Sequence, residues 1–311
     1  MLSRVADSLF WMSRYMERAD SLLRILKINH QTGQDDPEQV TWRPVLRLFT
    51  QLTEEECAVM EKSSRRVMLY MVCDRTNPNS VFNMVTRARE NARGVQDNIT
   101  KELWQSLNEF YHRVRDPQLE HSLRTEDPVS SLDWLMRQCV VYYGVADLTM
   151  FRGEGMSFMG LGRFLERAIQ TATILEVKFS DISYDLDRIT DTMYWKHLLM
   201  SISGYALYLK RYRSAFEAKN VVDQTIFNTG FPRSILYSLN QLHRYFGRLK
   251  SEGNGEGFYK VDLMIGKVRS KVQYSNVDMV SRTGLNSYLN ELTRDLDEIA
   301  VTLNKYYFAT S

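Results

Sequence analysis

The sequence predicts an all-α protein, a bundle of long helices built from two tandem, diverged helical repeats. Three observations carry this. Apolar residues return at spacings of three and four over long stretches, helix-start signals recur along the chain, and strand evidence is thin. No run of six alternates cleanly with β-branched enrichment, and no Asn-Gly or Asp-Gly pair joins two such runs.

The first element is a long helix. From Val5, the residues Leu9, Met12, Met16, Ala19, Leu23 and Leu26 form one apolar seam along it. Turn signals follow at residues 31–39 (QTGQDDPEQ), 73–80 (CDRTNPNS), 115–130, 151–155 (FRGEG), 227–232 (FNTGFP) and 251–257 (SEGNGEG), with helical patterns between them. Helix starts are marked by Asn77-Pro78, Asp127-Pro128 and Phe231-Pro232, since proline fits the first helical turn, where its missing N–H has no intrahelical partner. The most apolar stretch, LLMSISGYALYLK at 198–210, is broken by Ser, Gly and Lys before it reaches the roughly 18–20 apolar residues of a spanning helix.

The second half echoes the first. RYMERAD at 14–20 is nearly repeated by RFLERAI at 163–169, and the seam repeats with it. Leu9, Met12, Met16, Ala19, Leu23 and Leu26 correspond to Phe158, Leu161, Leu165, Ala168, Ala172 and Leu175 at a constant offset of 149. Further on, Trp42-Arg43 with Val45-Leu46 matches Trp195-Lys196 with Leu198-Leu199 at an offset of 153, and Pro78-Asn79-Ser80-Val81 matches Pro232-Arg233-Ser234-Ile235 at 154. Collinear matches with slowly drifting offset are the mark of a duplication with loop insertions, which places one repeat at 1–150 and the other at 151–311. Each half exposes long amphipathic helices that need cover, so the two are expected to pack as one unit.

Composition narrows the function. With 40 basic and 38 acidic residues the net charge is +2, too balanced for a field that gathers nucleic acid or anionic lipid. Apolar residues at 44% and charged residues at 25% are ordinary globular usage. Cys57, Cys73 and Cys139 are odd in number and set among apolar neighbours, so they read as reduced core thiols of a cytoplasmic protein. The N-terminal MLSRVADSLFWMSRYMER carries charge through its apolar positions and lacks the uninterrupted core of a signal peptide.

The charged motif has two readings from its residues. At about 100° per residue, Asp7, Arg14, Arg18 and Ser21 lie opposite the apolar seam, with Arg4 and Glu17 flanking them. In the bland reading this is a solvated face on which an intrahelical pair contributes about 0.2–0.5 kcal/mol. Against it, Trp11 and Ile25 share the same arc, and Gly160 and Gly162 precede Arg163 in the second copy, where they admit a backbone or ligand at close range. A third cluster, TRARENARG at 86–94, sets Arg89 and Arg93 on one stripe beside Arg87 and Glu90. Together these cations suit an anion-recognising cleft, because arginine grips carboxylate and phosphate with two parallel hydrogen bonds, and a plain surface ladder of charges explains the third cluster nearly as well. The second half offers only Gln241, His243 and Arg244 at the corresponding place, so such a cleft is asymmetric.

Familiar catalytic signatures are absent. There is no phosphate loop, no GxSxG elbow, no HExxH and no Cys-x-x-Cys, and the five histidines are scattered, so the sequence calls for no cofactor and no metal.

LSRVADSLFWMSRYMERAD followed by MGLGRFLERA resembles the bacterial alpha-E family, a helical domain named for its Glu-Arg motif. Arg4, Ala6, Leu9, Trp11, Met12, Arg14, Tyr15, Glu17, Arg18 and Ala19 carry the resemblance first. Gly162, Arg163, Leu165, Glu166, Arg167 and Ala168 carry it again, and Asn91, Ala92 and Arg93 match a middle cluster. The resemblance implies a cytoplasmic helical protein encoded beside a circularly permuted ATP-grasp ligase and a transglutaminase-like protein, and hence amide-bond chemistry on peptides. It supplies no reaction and no catalytic residue. Three roles follow as expectations: an accessory or scaffold of that ligase whose Arg/Glu faces hold the partner or an anionic peptide, an enzyme with Glu17 or Glu166 as general base, or a motif that is structural. The candidate residues are Arg4, Arg14, Glu17, Arg18, Arg89, Asn91, Arg93, Arg163, Glu166 and Arg167.

Overall fold

A computed structural model describes residues 1–35, 41–213, 216–250 and 255–308. Every regular element among them is helical. In chain order they are α1 (Ser3–Asp35), α2 (Arg43–Phe49), α3 (Glu54–Met60), α4 (Ser64–Val72), α5 (Val81–Arg93), α6 (Lys101–Val114), α7 (Pro117–Thr125) and α8 (Pro128–Thr149). The second half continues with α9 (Glu154–Ser180), α10 (Thr192–Ser201), α11 (Tyr205–Tyr212), α12 (Ala218–Val222), α13 (Ile235–Gly247), α14 (Glu256–Gln273), α15 (Val277–Thr283) and α16 (Leu285–Leu303). Short π-helical turns follow α12 at Asp223–Phe227 and α16 at Asn304–Phe308.

The chain forms two compact units, one of Trp11–Phe151 and one of Met1–Phe10 with Arg152–Ser311. In the first, α5 packs on α6 and α6 on α8. Helix α1 meets α8 through Ser13 and Tyr142 (3.2 Å) and Lys27 and Asp133 (2.5 Å), and meets α5 through Tyr15, under the Arg87 guanidinium. In the second unit α9, α13, α14 and α16 close a four-helix ring, with α9 packed on α13 and α16 and α14 on both of these. The apolar seams explain why: Leu9, Met12, Met16, Ala19, Leu23 and Leu26 are all fully buried, and Phe158, Leu161, Leu165, Ala168, Ala172 and Leu175 are at most 4% exposed.

Helix starts are set by side-chain caps, and here the structure corrects the sequence reading. Pro128 does occupy the first turn of α8, behind the Asp127 cap. Pro78 and Pro232 do not: α5 and α13 begin three residues later, capped by Ser80 and Ser234, whose hydroxyls accept from the Asn83 and Tyr237 N–H. A serine oxygen satisfies a helix donor that proline cannot, so the cap wins the boundary. Helix α3 carries a full capping box between Thr53 and Glu56. The turn read at 31–39 begins late, because α1 continues to Asp35, and the rest of it, like most of 251–257, lies outside the described residues. The apolar stretch at 198–210 breaks at Ile202–Gly204, between α10 and α11. Among the described residues, no helix is long and apolar enough to cross a membrane.

Gly266, inside α14, has open space where a Cβ would stand. Gly266→Ala is therefore expected to raise stability by about 0.5–1 kcal/mol through helix propensity alone, read as a higher urea midpoint.

Candidate functional site

The Glu-Arg motif of the first unit sits inside the helix bundle. Glu17 is fully buried, Asp20 is 2% exposed, Ser21 5% and Arg14 8%, so the solvated-face reading does not hold. The reason is that α1 is covered on more than its apolar seam. Tyr143, on α8, donates its hydroxyl to the Glu17 carboxylate at 2.7 Å. The Arg14 guanidinium lies over the Trp11 ring at 4.6 Å, as the shared arc of these residues allows. Arg18, half-buried, donates to the Asn79 side chain at 3.3 Å, in the loop that leads into α5. Asp20 accepts from Arg24 one turn on, at 2.9 and 3.0 Å.

The second motif follows the same plan with different partners. Glu166 is fully buried and accepts from the Gln170 side chain at 3.0 Å. Arg167, 5% exposed, donates to the Pro232 carbonyl at 3.1 Å, and Thr171 donates to the Arg233 carbonyl at 3.0 Å. Pro232 and Arg233 lead into α13 as Pro78 and Asn79 lead into α5. In each unit the motif arginine therefore holds the segment just before a capped helix. A guanidinium suits this task, because it offers several donors in one plane and keeps its charge when buried.

Arg163 and Arg167 flank the Phe164 ring at 5.4 and 5.1 Å, and that ring stacks on Tyr245. The glycines before them do admit close neighbours, and both neighbours come from the same unit. A Cβ on Gly160 would stand 2.4 Å from the Tyr245 ring, and one on Gly162 only 2.1 Å from the Phe10 carbonyl oxygen.

The remaining predicted residues spread out. Arg4 is exposed near the start of α1. Arg89 faces α6: it donates to Asn108 at 3.2 Å, pairs with Glu90 at 2.6 Å and lies over Trp104 and Tyr111. Arg93 is exposed and also pairs with Glu90, at 3.4 Å. The Arg89 hydrogen bond, with smaller help from the charge of Arg93, holds the Glu90 carboxyl below its ordinary value. Asn91 is half-buried on the same helix. Sequence reasoning missed Tyr142 and Tyr143, which reach α1 from well over a hundred positions away, and it missed the acceptor role of Asn79 and Pro232. A signal for the latter was present, since these loops repeat at nearly the same offset as the arginines that bind them.

Two surface cavities of about 400 Å³ lie elsewhere, one beside Arg113, His121 and Trp134 and one beside Leu263, Met264 and Tyr306. Neither is lined by a predicted site residue. Among the described residues, no group of three or more His, Cys, Asp or Glu is placed to hold a metal ion. The three cysteines are free thiols. Burial pushes the Cys73 thiol up to about 12, with Glu120 adding to the rise. Because the thiolate is the reactive form, iodoacetamide should label Cys73 far more slowly in the folded protein at pH 8 than in urea, as followed by mass spectrometry. Rapid labelling of the folded chain would contradict this.

A chain helical throughout its described residues, whose two long motif helices each bury the glutamate of a Glu-Arg motif, is the class that fold and site define. The chain belongs to the Alpha-E family, described as a predicted alpha-helical domain with a conserved ER motif, and the match covers residues 1–308. It is 25% identical over 317 aligned residues to uncharacterised proteins of Mycobacterium bovis and Mycobacterium tuberculosis, with 93% of this chain covered. The alignment takes in only 34% of those proteins, so the chain spans about a third of the length of the curated relatives it matches. No solved structure matches it.

Proposed function

We propose that this protein is a cytoplasmic helical accessory or scaffold of an ATP-grasp-type amide or peptide ligase, in which the Glu-Arg motifs shape the helices and exposed side chains meet the partner. The observation that carries the reading is the complete burial of Glu17 and Glu166. A general base must reach the proton it removes, within about 2.6–3.2 Å, and a carboxylate enclosed by its own helices is poorly placed to do so. That favours the structural role for the motif over catalysis by Glu17 or Glu166.

Partner binding then falls to charge that remains on the surface: Arg4, Arg87 and Arg93, with Glu90 beside the last. These suit an acidic protein surface or an anionic peptide, and the partners the resemblance implies are a circularly permuted ATP-grasp ligase and a transglutaminase-like protein. The greater length of the mycobacterial relatives supports association, because there the homologous region shares a chain with other sequence. The likeness of α1 to α9, and of the proline-preceded, serine-capped starts of α5 and α13, supports a tandem duplication.

The test is titration of the purified protein against a circularly permuted ATP-grasp ligase of the same organism. Binding that weakens about tenfold or more in an Arg87→Glu, Arg93→Glu variant supports the proposal. Absence of any association between the two folded proteins overturns it.

A further inference from the structure

Lys178, in the last turn of α9, is half-buried, and among the described residues no carboxylate pairs with its ammonium. Its Nζ lies instead over the Tyr194 ring of α10, 4.8 Å from the centroid. That ring is fixed in place. The Tyr194 hydroxyl donates to the carbonyl of Lys178 itself and, at 3.4 Å, to the exposed Asp181 carboxylate. Behind it stands Trp195, fully buried, edge-on to Tyr194 at 4.9 Å and 5.0 Å from the Phe179 ring.

Half-buried lysines elsewhere in the chain are treated differently. Lys27 pairs with Asp133 at 2.5 Å, and Lys271 with Glu291 and Asp295 at 2.8 Å each. An ammonium drawn out of water without such a partner loses hydration, and an aromatic face offsets less of that loss than a carboxylate does. Burial accordingly holds Lys178 below the ordinary lysine value, against the opposing pull of the Asp181 charge. A larger share of the side chain is then neutral amine, which is the nucleophilic form.

We propose that Lys178 is an acylation site, at which a small uncharged acyl group carried as an acyl phosphate is transferred to Nζ. The amine lone pair attacks the carbonyl carbon. A C–N bond forms as the bond from that carbon to the phosphate oxygen breaks, phosphate leaves with the electron pair, and the surplus amine proton passes to water. The enclosure selects this chemistry. An amide is neutral and removes the unpaired charge, whereas methylation keeps it and a dicarboxylic acyl group adds a second one. Aromatic carbon beside Nζ suits a short apolar chain.

The test incubates the purified full chain with acetyl phosphate across a pH series and maps acetylation by peptide mass spectrometry. Lys178 is expected to be labelled about tenfold or more faster near neutral pH than the exposed Lys62 and Lys101, and its rate to level off at a lower pH than theirs. Lys178→Met keeps the stem and drops the charge, so it should raise the urea midpoint. Labelling of Lys178 no faster than that of Lys62 and Lys101, or a lowered midpoint in Lys178→Met, would overturn the proposal.

Discussion

Glu17→Ala is expected to lower the unfolding free energy by about 3–5 kcal/mol, the range for breaking a buried charged interaction by removing one partner. The carboxylate is fully enclosed and accepts the Tyr143 hydroxyl, so its removal takes away that hydroxyl's acceptor and leaves a void where α1 meets α8. Tyr143→Phe removes only the donor and should cost less, about 1.5–3 kcal/mol, because a hydrogen bond to a charged group is lost while the ring still packs. Equilibrium urea unfolding followed by circular dichroism reads both. Equal, near-zero effects would mean that Glu17 is not held as described.

Gly162→Ala is the second large effect, and it acts by overpacking. The added Cβ would stand 2.1 Å from the Phe10 carbonyl oxygen and 2.9 Å from its carbonyl carbon, both backbone atoms that no rotamer change can remove. Inserting one carbon into such a contact costs about 1–3 kcal/mol, and a backbone obstacle puts this site at the upper end. Thermal unfolding of Gly162→Ala beside Gly266→Ala makes the comparison internal: the same substitution should destabilise at one helical glycine and stabilise at the other. A Gly162→Ala protein as stable as wild type would contradict the packing of α9 against the Phe10 backbone.

Much of this fold is legible in the residues because helical periodicity is a local signal. The seams from Leu9 to Leu26 and from Phe158 to Leu175 were readable from spacing alone, and all twelve positions are buried. Helix boundaries were less so, since the prolines at 78 and 232 advertise starts that the Ser80 and Ser234 hydroxyls set two residues later. The motif was harder still. An arc of Arg14, Glu17 and Arg18 has the composition of a solvated face, and only contacts distant in sequence, from Tyr143 and Asn79, turn it inward. The end of α8 errs in the opposite direction: Leu148 and, just past the helix, Phe151 have core composition yet face outward.

If the Glu-Arg motifs are structural clamps and partner recognition lies elsewhere, substitutions in a motif lower stability and leave association intact. The most direct measurement takes Glu166→Gln and Arg167→Ala beside wild type, recording urea unfolding and, at a temperature where all three are folded, affinity for the proposed ATP-grasp partner. The expected result is a marked loss of stability in both variants, about 1.5–3 kcal/mol for the Arg167 hydrogen bond to the Pro232 carbonyl, with affinity for the proposed partner unchanged. Unchanged stability together with lost affinity would contradict it and make the motif a binding site.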